Sequence, residues 1–205
     1  MRHKVLTGVL LMGTAAFAQG PGGVKPAKNE DMQVTATQMQ AILDKVPMKD
    51  GKVATVSTRL FTDSTYSCSF IRVTEPDTPH THGVWSEMYV IQKGSGTIMT
   101  GGTMKGPFTS GAVHHLSVVD QNGKSIATAD ERAAAEAVAA GKAVKPAQNE
   151  APPSNVDAAG TSIEGGRTQQ VGPGDIILIP AGVPHTWTKV DQPIVYLDIK
   201  FPKPE

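Results

Sequence analysis

Cysteine is all but missing. Cys68 is the single cysteine in 205 residues, so the chain cannot close an intramolecular disulfide and has no Cys pair from which to build a zinc ribbon. Net charge is missing too, since 19 Lys and Arg balance 19 Asp and Glu. That balance leaves no basic field for nucleic acid or for an acidic lipid surface. Beyond the N-terminus no apolar run is long enough to cross a bilayer. There is no repeat architecture either. Val24–Glu30 recurs almost unchanged as Val144–Glu150, but a unit that short cannot stack into a solenoid. What the chain has in plenty is glycine (21) and proline (15), as expected of short strands joined by many turns.

The metal-binding side chains gather in two stretches. The first is His80-Thr81-His82-Gly83-Val84-Trp85-Ser86-Glu87, continuing through strand-like residues to Gly94. Residues two apart on a strand share a face, so His80 and His82 can reach one ion together. Glu87 lies an odd number of residues beyond His82, and the chain must turn between them, with Gly83 as the flexible position. After the turn Glu87, Tyr89 and Ile91 share a face, and Gly94-Ser95-Gly96 is expected to end the strand. The second stretch runs from Gly174-Asp175 through Ile176–Ile179 and Pro180-Ala181-Gly182-Val183-Pro184 to His185. It reads as a strand, a tight turn and the start of the next strand. Three imidazoles and a carboxylate can hold one divalent cation and leave coordination positions open for a substrate.

These two stretches resemble the paired motifs of the cupin superfamily. His80, His82, Glu87 and Gly94 fit the first motif, and Gly174, Pro180, Gly182 and His185 fit the second. Lys189 stands where the second motif ends in Asn, and Thr74 where a Gly precedes the first. Neither departure removes a ligand. The resemblance covers roughly residues 52–101 and 166–202. It implies an all-β jelly-roll (double-stranded β-helix) barrel with His80, His82, Glu87 and His185 as ligands of one divalent ion: Fe, Mn, Ni, Cu or Zn. It also implies a possible homodimer.

The remaining segments arrange themselves around that barrel. Arg2-His3-Lys4, the apolar run Val5–Phe17 and Ala16-Phe17-Ala18 have the order of an export signal, residues 1–18, with Gln19 as the first mature residue. The mature protein is then expected in the periplasm or outside the cell. Residues 19–50 form an N-terminal extension with a short helix, since Met39, Ile42, Leu43 and Val46 recur at helical spacing. The barrel occupies 51–205, interrupted by an insertion at about 103–165. Inside the insertion Thr128–Glu131 reads as a capping box and Ala133–Ala140 as a helix, followed by loop to Gly166. His114 and His115 are adjacent, so at most one could face the interior. Cys68, in Tyr66-Ser67-Cys68-Ser69-Phe70, is expected to pack rather than to act as a nucleophile.

Tyr89 is the inward polar group best placed as hydrogen-bond donor or acid. Phe61, Phe70, Trp85, Met99 and Trp187 are, with Tyr89, the candidate walls of a pocket. Asp175 reads as a turn residue. The favoured function is an exported, metal-dependent oxygenase acting on a small molecule. A metal-dependent lyase or isomerase and a non-enzymatic small-molecule binder remain alternatives on the same scaffold.

Overall fold

The computed structural model describes residues 33–45, 55–62, 65–110, 118–119 and 154–203. The expected export signal, His114 and His115, and the helix expected at 133–140 lie outside them.

The chain enters through α1 (Ala36–Lys45). Thr35 and Gln38 close its first turn reciprocally. The Gln38 amide N–H donates to Thr35 Oγ1 at 3.2 Å and the Thr35 N–H donates to Gln38 Oε1 at 2.7 Å, which satisfies two donors that a helix start leaves open. Met39 packs against Leu60, Phe70 and Val195 on the outside of the sheet.

Strands follow in the order β1 (Thr55–Thr62), β2 (Ser67–Val73), β3 (His80–Thr81), β4 (Trp85–Thr100), β5 (Thr103–Lys105), β6 (Thr109–Ser110) and β7 (Val118–Val119). After the long connection come β8 (Ala158–Ala159), β9 (Ser162–Glu164), β10 (Arg167–Val171), β11 (Ile176–Ile179) and β12 (His185–Pro202). They build an antiparallel jelly roll, a double-stranded β-helix. Among the described residues the one parallel pair is β1 with β7. Two long strands, β4 and β12, lie side by side and run through both halves of the barrel. The first half of β4 also pairs with β11 and its second half with β10. The end of β12 pairs with β2, and its first residue pairs with β3.

β4 does not end at Gly94-Ser95-Gly96. It bends there and continues to Thr100. Gly94 takes φ +76°, a conformation that costs glycine little, and the partner strand shifts register alongside it between Val190 and Val195. A bend shared by both strands lets one ladder wrap around the barrel where two strands were expected.

The stretch before Gly166 is not all loop. β8 pairs with His80-Thr81 on one side and with β6 on the other, and β9 pairs with β5. The C-terminal end of the expected insertion therefore belongs to the barrel.

The sheet is filled on its inner face and covered over part of its outer face, while Ile176 and Leu178 of β11 stay exposed. Inside lies the main core: Ile71, Val73, Tyr89, Ile91, Ile98, Val171, Ile179, Trp187, Ile194 and Tyr196. Outside, Leu60, Phe70 and Val195 form a second cluster with Phe61, Cys68 and Leu197 packed on it. Side chains alternate faces along a strand, so Ile71 pointing inward sends Phe70 outward, and Ile98 pointing inward sends Met99 outward. Phe61, Phe70 and Met99 are thus not walls of the interior, whereas Tyr89 and Trp187 are inside it, their rings near parallel with centroids 6.4 Å apart. Cys68 packs in the outer cluster, where burial, and after it the Asp198 carboxylate, push its thiol up to about 11. It is held as an unreactive thiol.

Candidate metal centre

His80, His82 and His185 come together although one of them is remote in sequence. The register that pairs His80 directly with His185 brings the two motifs side by side. The His80 and His185 ring centroids are 4.0 Å apart, and His82 lies 5.6 Å from the first and 5.9 Å from the second. All three are buried, and their candidate ligand atoms lie within 4.8 Å of one another.

Each ring is anchored through Nδ1. His80 donates to the Thr78 carbonyl at 2.8 Å and His185 to the Val183 carbonyl at 3.0 Å. Carbonyls only accept, so both Nδ1 atoms carry the proton and Nε2 is left as the atom each ring can offer. His82 is anchored by a charge. Its Nδ1–H donates to Asp157 Oδ2 at 3.0 Å, while its Nε2 accepts from the Lys200 ammonium at 3.0 Å. Outward hydrogen bonds of this kind are what fix the tautomer and aim of metal-ligating histidines.

Glu87 lies on the interior face of β4, two residues before Tyr89. Its Oε1 is 3.3 Å from His82 Nε2 and 2.7 Å from Lys200 Nζ, and its Oε2 is 2.9 Å from His185 Nε2. The last contact is close but not aligned as a hydrogen bond, so the His185 Nε2 is buried without a partner. A ring nitrogen lone pair facing a carboxylate oxygen at that distance needs a cation between them, either a proton or a metal ion. These donors fit a divalent ion: three neutral imidazoles, one carboxylate, and one orphaned nitrogen aimed at the centre.

The electrostatics follow from that crowding. Burial favours the neutral form of Glu87, but Lys200, His185 and His82 outweigh it and hold the carboxyl well below its ordinary range. Burial and then Lys200 pull the His82 imidazole down, against the pull of Glu87 and Asp157, so it stays neutral. Burial also works against charge on His185, yet Glu87 wins there and lifts it. Tyr89 donates its hydroxyl to Glu87 Oε2 at 3.3 Å, and burial, then the Glu87 charge, keep the phenol well above its usual value.

Three charged residues at this site were not picked out in the sequence. Asp157 precedes β8 and holds both His82 and the Gly83 N–H, the latter at 2.8 Å. Asp198 and Lys200 lie on the interior face of β12, opposite Tyr89 and Glu87. Burial, then the neighbouring Glu87 charge, lift the Asp198 carboxyl to about 7, with Lys200 pulling the other way. The period-two pattern Tyr196-x-Asp198-x-Lys200 was the available signal. Asp175 is a turn residue, as expected: its carboxylate accepts the Gly172 N–H at 2.8 Å. Lys189, at the position of the expected Asn, is exposed and pairs with Asp191 at 2.6 Å, away from the centre.

Residues 159–205 match the model of the AraC-like ligand binding domain family. No curated protein matches in sequence. Among solved structures, the chain is similar to KdgF from a Halomonas species, at 10% identity and TM-score 0.39 over 78% of this chain and 92% of that one. It is also similar to the DMSP lyase DddQ from Ruegeria pomeroyi DSS-3, at 14% identity and TM-score 0.35 over 73% of this chain and 47% of that one. A third is an uncharacterized conserved protein with a double-stranded beta-helix domain from Klebsiella pneumoniae, at 7% identity and TM-score 0.41 over 84% and 91% of the two chains.

Proposed function

We propose that this chain, a cupin by its jelly-roll barrel and its paired ligand motifs, is an exported metal-dependent enzyme acting on a small molecule. His80, His82, His185 and Glu87 hold one divalent ion. The observation that carries the reading is the anchoring of all three rings through Nδ1, which spends their outer nitrogens on fixed acceptors and leaves Nε2 for the ion. A bound divalent ion would polarise a carbonyl or carboxylate of the substrate or, if redox-active, bring in oxygen chemistry.

The chain's own groups favour acid–base chemistry beside that ion. Tyr89 keeps its proton across the physiological range because burial and the Glu87 charge both oppose its ionisation, so its hydroxyl, given to Glu87 Oε2, can turn to orient a substrate oxygen. Trp187 and Tyr196 close the interior around Tyr89 and keep water from the hydroxyl. This supports an elimination or isomerisation ahead of the oxygenase reading that the ligand set alone suggests. Binding without turnover is the second reading, favoured by the matched family being a ligand-binding domain.

One preparation tests these readings. Protein recovered from the exported fraction should begin at Gln19 and carry one divalent ion per chain. Turnover of candidate substrates that persists without oxygen, with Mn or Zn, supports the lyase or isomerase. Oxygen uptake dependent on Fe(II) replaces it with the oxygenase. Tight ligand binding with no turnover under either condition leaves the binder. Native protein without metal sinks the proposal.

A further inference from the structure

Lys200 stands in a place that a metal centre does not ordinarily give to a cation. Its ammonium donates to His82 Nε2 at 3.0 Å and lies 2.7 Å from Glu87 Oε1, both atoms of the proposed ligand set. The side chain is 17% exposed. It comes from the interior face of β12, directly across the ladder from Glu87, so the barrel's register and not a surface excursion puts it there.

An ammonium has three donors and no lone pair. It loses His82 Nε2, which has a single lone pair, once that atom coordinates an ion, and it must then share Glu87 with the ion. Loading the centre therefore takes one close partner from Lys200, divides the charge of the other and adds two positive charges beside it. A mostly buried ammonium short of partners is costly, and one facing a dication is costlier. The remaining carboxylate on its strand, Asp198, is 3.8 Å away. The Asp198 carboxyl is fully buried and has one oxygen, Oδ1, with no partner.

We propose that Lys200 is the residue that receives the substrate, by holding a carboxylate group of it beside the bound ion. This rests on the metal reading above and adds the substrate class: a small molecule bearing a carboxylate. A carboxylate has two oxygens and can meet two cations at once, and its charge offsets the excess that the ion creates. Lys200 now has His82, Glu87 and Asp198 around it, and a substrate carboxylate takes the place of the His82 contact and of the Glu87 charge that the ion draws off. Lys200 is a point-charge donor on a flexible stem, able to turn from Glu87 to a ligand while its backbone stays in the ladder.

The test uses Co(II)-loaded protein, with acetate as the probe and imidazole as a neutral control, each followed by the visible absorption of the bound cobalt. Wild type should take up one Co(II) per chain and bind acetate. Lys200→Met should keep the cobalt and the imidazole affinity but lose acetate affinity by roughly tenfold to a hundredfold, the loss expected of a charge-assisted hydrogen bond. Lys200→Arg should recover much of it. Equal acetate affinity in wild type and Lys200→Met overturns the inference and leaves the metal reading standing, as it would if the displaced ammonium simply turned to Asp198. Wild-type protein that binds no Co(II) overturns the metal reading, and this inference with it.

Discussion

At the scale of single residues the candidate centre depends on side chains outside the proposed ligand set. Asp157 is the clearest case: it fixes the tautomer of His82 and ties down the Gly83 backbone at the same time. Asp157→Ala should leave all four proposed ligands in place yet weaken metal affinity by about 10- to 100-fold, the usual effect of losing a partner behind a ligating histidine. Competition with a chromophoric chelator measures it, and an unchanged dissociation constant would show that His82 needs no such support. The clustering of the three histidines was legible because metal chemistry restricts residue type and strand geometry restricts spacing. His80 and His82 two apart, and His185 after a Pro-x-Gly turn, leave little freedom. Asp157 was not legible. It stands alone in a Pro/Ala/Asn-rich run with nothing local to mark it, and only the fold carries it to His82. Lys200 was hidden differently. On β12, Val195, Leu197, Ile199 and Phe201 alternate with Tyr196, Asp198 and Lys200, so hydrophobicity alone points the wrong face inward. Val195 and Leu197 face out into the second, outer cluster, which covers them.

At the scale of elements, close approach of backbones decides what the turns must be. Gly83 was expected to serve as a flexible hinge between His82 and Glu87. Its requirement is steric: a Cβ there would lie 2.2 Å from the Asn155 carbonyl carbon and 2.3 Å from the Val156 nitrogen. The segment leading into β8 presses directly on the first motif, and Asp157 is two residues further along it. Gly83→Ala should therefore push that segment away and draw Asp157 off His82. A stability loss of about 1–3 kcal/mol is expected for such overpacking, together with weaker metal binding. Urea unfolding and the chelator competition together check it. A variant equal to wild type in both would mean that the segment yields freely and supports nothing. The helix was readable because its period is long and its cap local, with Thr35 and Gln38 three residues apart. The two-residue strands β6, β7 and β8 carry no periodicity to read, since a period of two needs several residues to register. They exist because neighbouring strands offer them backbone partners.

At the scale of the whole molecule, the described residues bury more carboxyl groups around the barrel than the Lys200 ammonium can neutralise, and that bears on how stability changes with pH. Asp77 precedes β3 and accepts from Thr186 Oγ1 and from the Trp187 N–H, both at 2.7 Å, so it pins the start of β12 where His185 enters the centre. Burial raises its carboxyl to about 6 in spite of those hydrogen bonds. The sign is that of a group that prefers its proton when folded. In the unfolded chain the carboxyl titrates near 3.8, so the folded state binds more protons between that value and about 6. The stability from this group is complete below the unfolded value and is lost as pH rises through the folded one. Glu87 and Asp157 act in the opposite sense, since both are depressed in the fold and lose their contribution as pH falls. The isosteric change Asp77→Asn separates the two trends. Its side-chain oxygen can keep both hydrogen bonds, and it has no proton to lose. In metal-free protein its unfolding free energy, relative to wild type, should improve from pH 4 to about pH 6 and level off above it, as the wild-type carboxyl is forced to ionise against the start of β12. A difference between the two proteins that stays constant across that range would mean that the Asp77 carboxyl titrates as it does in the unfolded chain, and that the junction of β3 with β12 holds an ordinary ionised aspartate.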